Sequence, residues 1–178
     1  LRATLEEHLH RVPYFDQLAF FAGSSQPLAA YPQSQIVLND LELAGLLLAQ
    51  EGLPLQVVIA APADSADLAA QLSFIAAVRG SDDTADRSVL LGRTQLADNP
   101  FAQPILRSLL SIAELGGQAF LLDADGRIVA QAGSSADLLS NYAGASLSEA
   151  GAFEELGVDG SRLLSYYQPV TGNSWALA

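Results

Sequence analysis

Few groups in this chain could carry out chemistry. The only histidines, His8 and His10, stand two apart in a segment that reads as a helix. They therefore project from different faces and cannot share one metal ion. Serine–histidine–aspartate chemistry would have to use one of them, on a terminal helix. Cysteine is absent, which excludes thiol catalysis, cysteine-ligated zinc and a disulfide framework. No G-x-S-x-G, phosphate-loop or H-E-x-x-H spacing occurs. Asp123-Ala124-Asp125-Gly126 has the opening of a calcium loop but lacks the later ligands and the closing glutamate, so a hairpin turn explains it better. Asp82-Asp83 and Glu154-Glu155 read as solvated turn and helix-surface charges, not as an acid–base pair. No catalytic residue, metal site or cofactor is expected.

Non-covalent binding is better served. Tyr31, Phe74, Arg79 and Arg93 are the candidate ligand-binding residues. A pocket needs apolar walls and a few polar groups. The two aromatics fall on expected strands that should face a covering helix, and either arginine could clasp a carboxylate through two parallel hydrogen bonds. The alternative is that both aromatics are core and both arginines are exposed strand-end charges. Phe120, Tyr166 and Trp175 read as core packing.

These residues sit in a chain of 178 residues and 18.7 kDa, enough for one ordinary domain or two small ones. Half of the residues are apolar and 16% are charged, a globular composition. The formal charge is −12 and every basic residue is an arginine. Net attraction to nucleic acid or to an anionic membrane surface is thereby excluded, while a local arginine patch for one anionic metabolite is not. No stretch reaches the roughly 18 apolar residues of a membrane span, and no signal peptide is visible. Leu41 to Ala49, the richest stretch, is interrupted by Glu42. With Leu1 first and no methionine, the chain reads as a piece of a longer protein.

The elements follow from periodicity. Residues 1–12 predict a helix ended by Pro13. Residues 15–22 and 27–31 predict a hairpin around Gly23-Ser24-Ser25-Gln26. Ser34 is the expected cap of a helix running to Glu51, before Gly52. Leu55–Ala61 predicts a buried strand, and 70–79 and 88–94 two more. Asp98-Asn99-Pro100 predicts a helix start, with the helix continuing to Leu115. Residues 119–122 and 127–131 predict a second hairpin, 136–142 and 148–155 short helical pieces, and 162–170 and 174–178 closing strands.

Those elements repeat. Ala19-Phe20 falls on Ala119-Phe120 at an offset of 100, and Leu28-Ala29-Ala30 on Ile128-Val129-Ala130. Leu72-Ser73-Phe74 falls on Leu164-Ser165-Tyr166 at an offset of 92, and Ser88-Val89 on Ser174-Trp175 at an offset of 86. Each half reads as hairpin, helical connection, hairpin. The expected fold class is α+β, each half an antiparallel sheet with helices over one face.

The phrase from Phe120 to Ala130, FLLDADGRIVA, and the closing stretch from Arg162, RLLSYYQPVTGNSWAL, together resemble the Cache family of extracytoplasmic sensor domains. Ala30-Tyr31-Pro32 after the first hairpin, and Leu90 to Thr94 followed by Asn99-Pro100, look like a second module and the junction of a double Cache domain. The resemblance implies two PAS-like modules: an entry helix at 1–12, a membrane-distal module at 13–96, and a connector helix with a membrane-proximal module at 97–178. It implies the extracytoplasmic part of a bacterial transmembrane receptor, of histidine kinase, chemoreceptor or cyclase type, that binds a small molecule in the distal module. Anchoring would lie in segments outside this chain, and a homodimer along the N-terminal helix is conceivable. The arginine and tryptophan–tyrosine cluster of the amino-acid-binding subfamily is absent from residues 31–96, so the ligand stays open. The alternative is a spacer, dimerisation or partner-binding ectodomain with its cavities filled.

Overall fold

Thirteen elements make up the computed structural model of the chain, which describes residues 1–33, 35–61, 69–78, 88–143, 150–156, 162–170 and 176–177. They fall into two compact units. The first comprises Leu1–Ala63 with Gln71–Phe101, and the second Asp64–Ala70 with Ala102–Ala178.

The first unit contains α1 (Arg2–Arg11), β1 (Gln17–Ala22), β2 (Pro27–Tyr31), α2 (Asp40–Gln50), β3 (Gln56–Ala60), β4 (Gln71–Val78) and β5 (Ser88–Gln95). Its sheet is antiparallel in the order β2-β1-β5-β4-β3. Alternation along the strands sends Ala19, Phe21, Ile75, Val89 and Leu91 to one face, where they meet Leu46 and Ala49 of α2 in a fully buried cluster. The opposite face is met by α1, through β2 and β1. Leu5 is the buried residue of α1.

Helix α2 starts later than Ser34. Its cap is Asn39, whose side chain accepts from the Glu42 N–H while Glu42 accepts from the Asn39 N–H. This reciprocal box satisfies two otherwise orphaned donors, so the helix begins here. Ser34 lies outside the described residues, and 35–39 are not helical. Strand β3 is also less buried than its β-branched run suggests, Val57 being 50% exposed. It is a sheet edge, covered by α2 on the Val58 side only.

The second unit contains α3 (Gln103–Glu114), β6 (Ala119–Leu122), β7 (Ile128–Ala132), β8 (Gly151–Leu156), β9 (Arg162–Pro169) and β10 (Ala176–Leu177). Its sheet runs β7-β6-β10-β9-β8, the same positional order as the first. Phe120, Leu122 and Ile128 form a cluster covered by Ala136, Leu138, Tyr142 and Tyr167. Helix α3 packs on β6 and β7 and contributes nothing to that cluster, so it covers the other face, where Ala119 and Leu121 are buried. Its proline near the first turn is Pro104, because residues 98–102 are spent on turns that include an Asn99 side-chain bond to the Phe101 N–H.

Three further expectations are corrected here. Residues 136–142 are not helical. Their backbone bonds to the edge of the sheet instead, Leu139 N–H to the Ile128 carbonyl at 2.7 Å and Tyr142 N–H to the Gly126 carbonyl at 2.9 Å. Ala70 N–H reaches the Val129 carbonyl of the same edge, so β7 is shielded along its free side. The expected helix at 148–155 is overturned over 151–155, which belong to strand β8 paired with β9, while residues 148–149 lie outside the described residues. Tyr166 is 60% exposed and its neighbour Tyr167 takes the core place, a one-residue change of face.

The repeat survives with a shifted register. Both opening hairpins slip by one residue, between Phe20↔Ala29 and Phe21↔Pro27 in one and between Leu121↔Ala130 and Leu122↔Ile128 in the other. Phe20 thus matches Leu121, not Phe120. The core pairs Ala19 and Phe21 then match Phe120 and Leu122, which line their own cluster. The closing ladders pair Ala77 with Val89 and Pro169 with Ala176, so keeping the expected offset between β4 and β9 puts Val89 on Ala176, one residue beyond the expected position 175.

Candidate functional site

Across the α2-facing side of the first sheet, Gln17, Arg93 and Ser73 stand in one cross-strand row, on β1, β5 and β4. Above them the first turn of α2 lowers Glu42, whose side chain is fully buried. Arg93 grips it with one edge of the guanidinium: Nε donates to Oε1 at 2.8 Å and Nη2 to Oε2 at 2.6 Å. Ser73 Oγ donates to Oε1 at 2.5 Å, and the Asn39 N–H to Oε2 at 3.0 Å. Arg93 Nη1 donates to Gln17 Oε1 at 3.1 Å, and Nη2 also to the Val37 carbonyl at 2.6 Å.

Burial by itself pushes the Glu42 carboxyl upward. The hydrogen bonds from Arg93, Ser73 and the Asn39 backbone, with the Arg93 charge, outweigh it and hold the group below the ordinary glutamate value. The carboxylate therefore stays ionised with four donors on its two oxygens, the pairing a buried charge requires.

Tyr31 and Phe74 lie on the other face. One cross-strand row there runs Tyr31, Leu18, Gly92, Phe74. Phe15 lies over Gly92, where an added Cβ would meet its ring at 2.8 Å, and packs edge-on against Phe74 with centroids 5.7 Å apart. The Tyr31 hydroxyl donates to Glu6 Oε1 at 3.1 Å, and its ring lies 6.3 Å from that of His10. The Glu6 carboxylate, as hydrogen-bond partner first, raises the phenol above its usual value. The two aromatics thus face α1 and the segment entering β1, not the helix α2 that covers the Arg93 side. The structure brings Tyr31 and Phe74 into one row and separates both from Arg93, while Arg79 lies outside the described residues.

Asp123 is tied into its turn. Its Oδ1 accepts the N–H groups of Asp125 and Arg127, both at 2.9 Å, and its Oδ2 pairs with the Arg127 guanidinium at 2.7 and 2.8 Å. Gly126 supplies the positive φ of +77° that the turn needs. His10 Nδ1 donates to the Glu6 carbonyl at 2.8 Å, within its own helix. Among the described residues no three histidine, aspartate or glutamate side chains gather as a metal would require.

Glu42, Gln17 and Ser73 were not singled out from sequence. A signal for Glu42 exists: it is the one acid inside the apolar run from Leu41 to Ala49, and it stands three residues after Asn39, the spacing of a capping box. Nothing local marks Gln17 or Ser73, which matter only because β5 lies between their strands.

No family model matches the chain, and no curated protein does. Solved structures do. The chain is similar to the ligand-binding domain of the Pseudomonas aeruginosa PAO1 amino acid chemoreceptor PctC in complex with GABA, with a TM-score of 0.68 at 20% identity, over 99% of this chain and 77% of that one. It is similar to the ligand-binding domain of Mlp24 with asparagine, with a TM-score of 0.67 at 13% identity, over 99% and 71% of the two chains. It is also similar to the extracellular domain of rpHK1S-Z16, described as a histidine kinase, with a TM-score of 0.63 at 14% identity, over 99% and 74%. The fold is therefore shared, over nearly its whole length, with domains that sense ligands for chemoreceptors. Among the described residues, no helix is long and apolar enough to cross a membrane.

Proposed function

We propose that this chain is the extracytoplasmic ligand-sensing domain of a bacterial transmembrane signalling protein, of chemoreceptor, histidine kinase or cyclase type, built from two PAS-like modules as in double Cache domains. The observation that carries this reading is the shared strand order of the two sheets, in a fold common to receptor ligand-binding domains over 99% of the chain. Residues 1–12 would then be the end of an entry helix, 13–96 the membrane-distal module, and 97–178 the connector helix and proximal module. Binding is non-covalent, and the ligand acts by favouring one arrangement of the module that holds it. Tyr31 and Phe74 belong to the α1-facing row, so a ligand held beneath α2 would meet Arg93 alone among the described candidates.

One observation favours the second reading, a spacer, dimerisation or partner-binding ectodomain. Helix α2 sits directly on the sheet: a Cβ at Gly45 would come within 2.9 Å of Ile75 Cδ1. Leu46, Ala49, Ile75, Phe21 and Leu91 fill the space around it.

Thermal unfolding against a panel of small carboxylates, amino acids, amines and nucleobases separates the two. A ligand at a hundred times its Kd adds about 2.7 kcal/mol, a rise of several degrees for a chain of this size. One chemical class raising the midpoint supports the sensor reading. A flat panel moves the conclusion to the second reading.

A further inference from the structure

We propose that Arg93, Ser73, Gln17 and the Asn39 N–H form a carboxylate-binding cradle, and that Glu42 is its built-in occupant. Every feature expected of a carboxylate site is present. A guanidinium engages both oxygens in parallel, a hydroxyl and a backbone N–H complete the set, and Gln17 and the Val37 carbonyl hold the guanidinium in the required plane. The carboxylate in it comes from the same chain. An intramolecular occupant competes at a high effective concentration, so a free carboxylate in solution does not displace it.

Two consequences follow. The Glu42 clasp fixes the first turn of α2 and the Val37 carbonyl to the middle of the sheet, which makes α2 a closed cover over this face. And, resting on the sensor reading, a ligand of the first unit of the native chain is not recognised through Arg93 by its carboxylate, which restricts the ligand class. Removing the occupant's carboxylate leaves a space for a small anion beside Arg93, whose side chain is 16% exposed.

The experiment is chemical rescue. E42A removes the carboxylate and leaves its space; formate is the probe, with chloride at equal ionic strength as control. Thermal midpoints are read for the native chain, E42A and the double variant E42A/R93M. Formate is expected to leave the native midpoint at its chloride value, to raise that of E42A by several degrees in a saturable way, and to leave the double variant unmoved. Were E42A unfolded in chloride, formate should restore its folded circular dichroism signal. The proposal is overturned by E42A responding no more to formate than to chloride, by E42A staying unfolded in both salts, by an equal response in the double variant, or by a native chain that binds formate as tightly as E42A does. The panel is read on the native chain, while the cradle is read on the formate response of E42A against E42A/R93M, so failure of the cradle and failure of the sensor reading are told apart.

Discussion

At the residue scale the decisive contact joins side chains 51 positions apart, Arg93 and Glu42. That Arg79 or Arg93 could clasp a carboxylate is legible in the sequence; that Arg93 clasps the chain's own is not, because the contact exists only after β5 and α2 are placed against each other. Removing one partner leaves a buried charge without its counter-ion. E42Q and R93M should each lower stability by about 3–5 kcal/mol, while the double variant E42L/R93M should cost clearly less than the two together. Chemical denaturation of the four proteins checks this. The pH dependence has a definite sign. The folded-state carboxyl lies below its unfolded value of about 4.3, so its stabilisation is fully present above that pH and fades as pH falls through the folded value. E42Q should accordingly lose less stability on acidification below about pH 4 than the native chain does, measured by denaturation at stepped pH.

At the scale of elements, hairpins and the three helices were legible, though α2 and α3 start later than expected, and the irregular covering segment after β7 was not. The strands expected at 15–22, 27–31, 70–79, 119–122 and 162–170 all form, with ends within two residues. The segment at 136–142 failed as a helix because its backbone donors and acceptors have a free sheet edge to pair with, something a local pattern cannot show. Capping and close approach make two checks. N39A should destabilise by about 1 kcal/mol through loss of the α2 cap. G92A should cost about 1–3 kcal/mol because the Phe15 ring must leave its seat on the strand. Adding F15A to G92A should remove most of the clash term, so the pair should be less than additive in the same unfolding assay.

At the scale of the whole molecule the charge of −12 dominates what the sequence can say. Self-repulsion among unpaired carboxylates opposes the folded state and is screened as the Debye length shrinks from about 30 Å at 0.01 M salt to about 8 Å at 0.15 M. The thermal midpoint should therefore rise over that range of sodium chloride, and a fall would mean that attractive ion pairs outweigh the net repulsion. The shared strand order of the two sheets was anticipated by the repeat, but in the wrong register at the opening hairpins, where Phe20 matches Leu121.

That register is where local and tertiary information part. Strand positions, turn residues and the doubling of a hairpin–connection–hairpin plan are all local properties, carried by period-two apolar patterns and by composition. Which face a residue takes is not local here. Strands β1, β5 and β6 are covered on both sides, so their apolar residues run on without alternation, as in Ala119 to Leu122, all four buried. With both faces apolar, nothing along the strand tells α1 from α2, and one residue of register exchanges them. Pairing across the sheet made that choice. It placed Tyr31 against α1 and Phe74 against Phe15, brought Gln17, Arg93 and Ser73 into one row beneath α2, and so gave Arg93 its carboxylate.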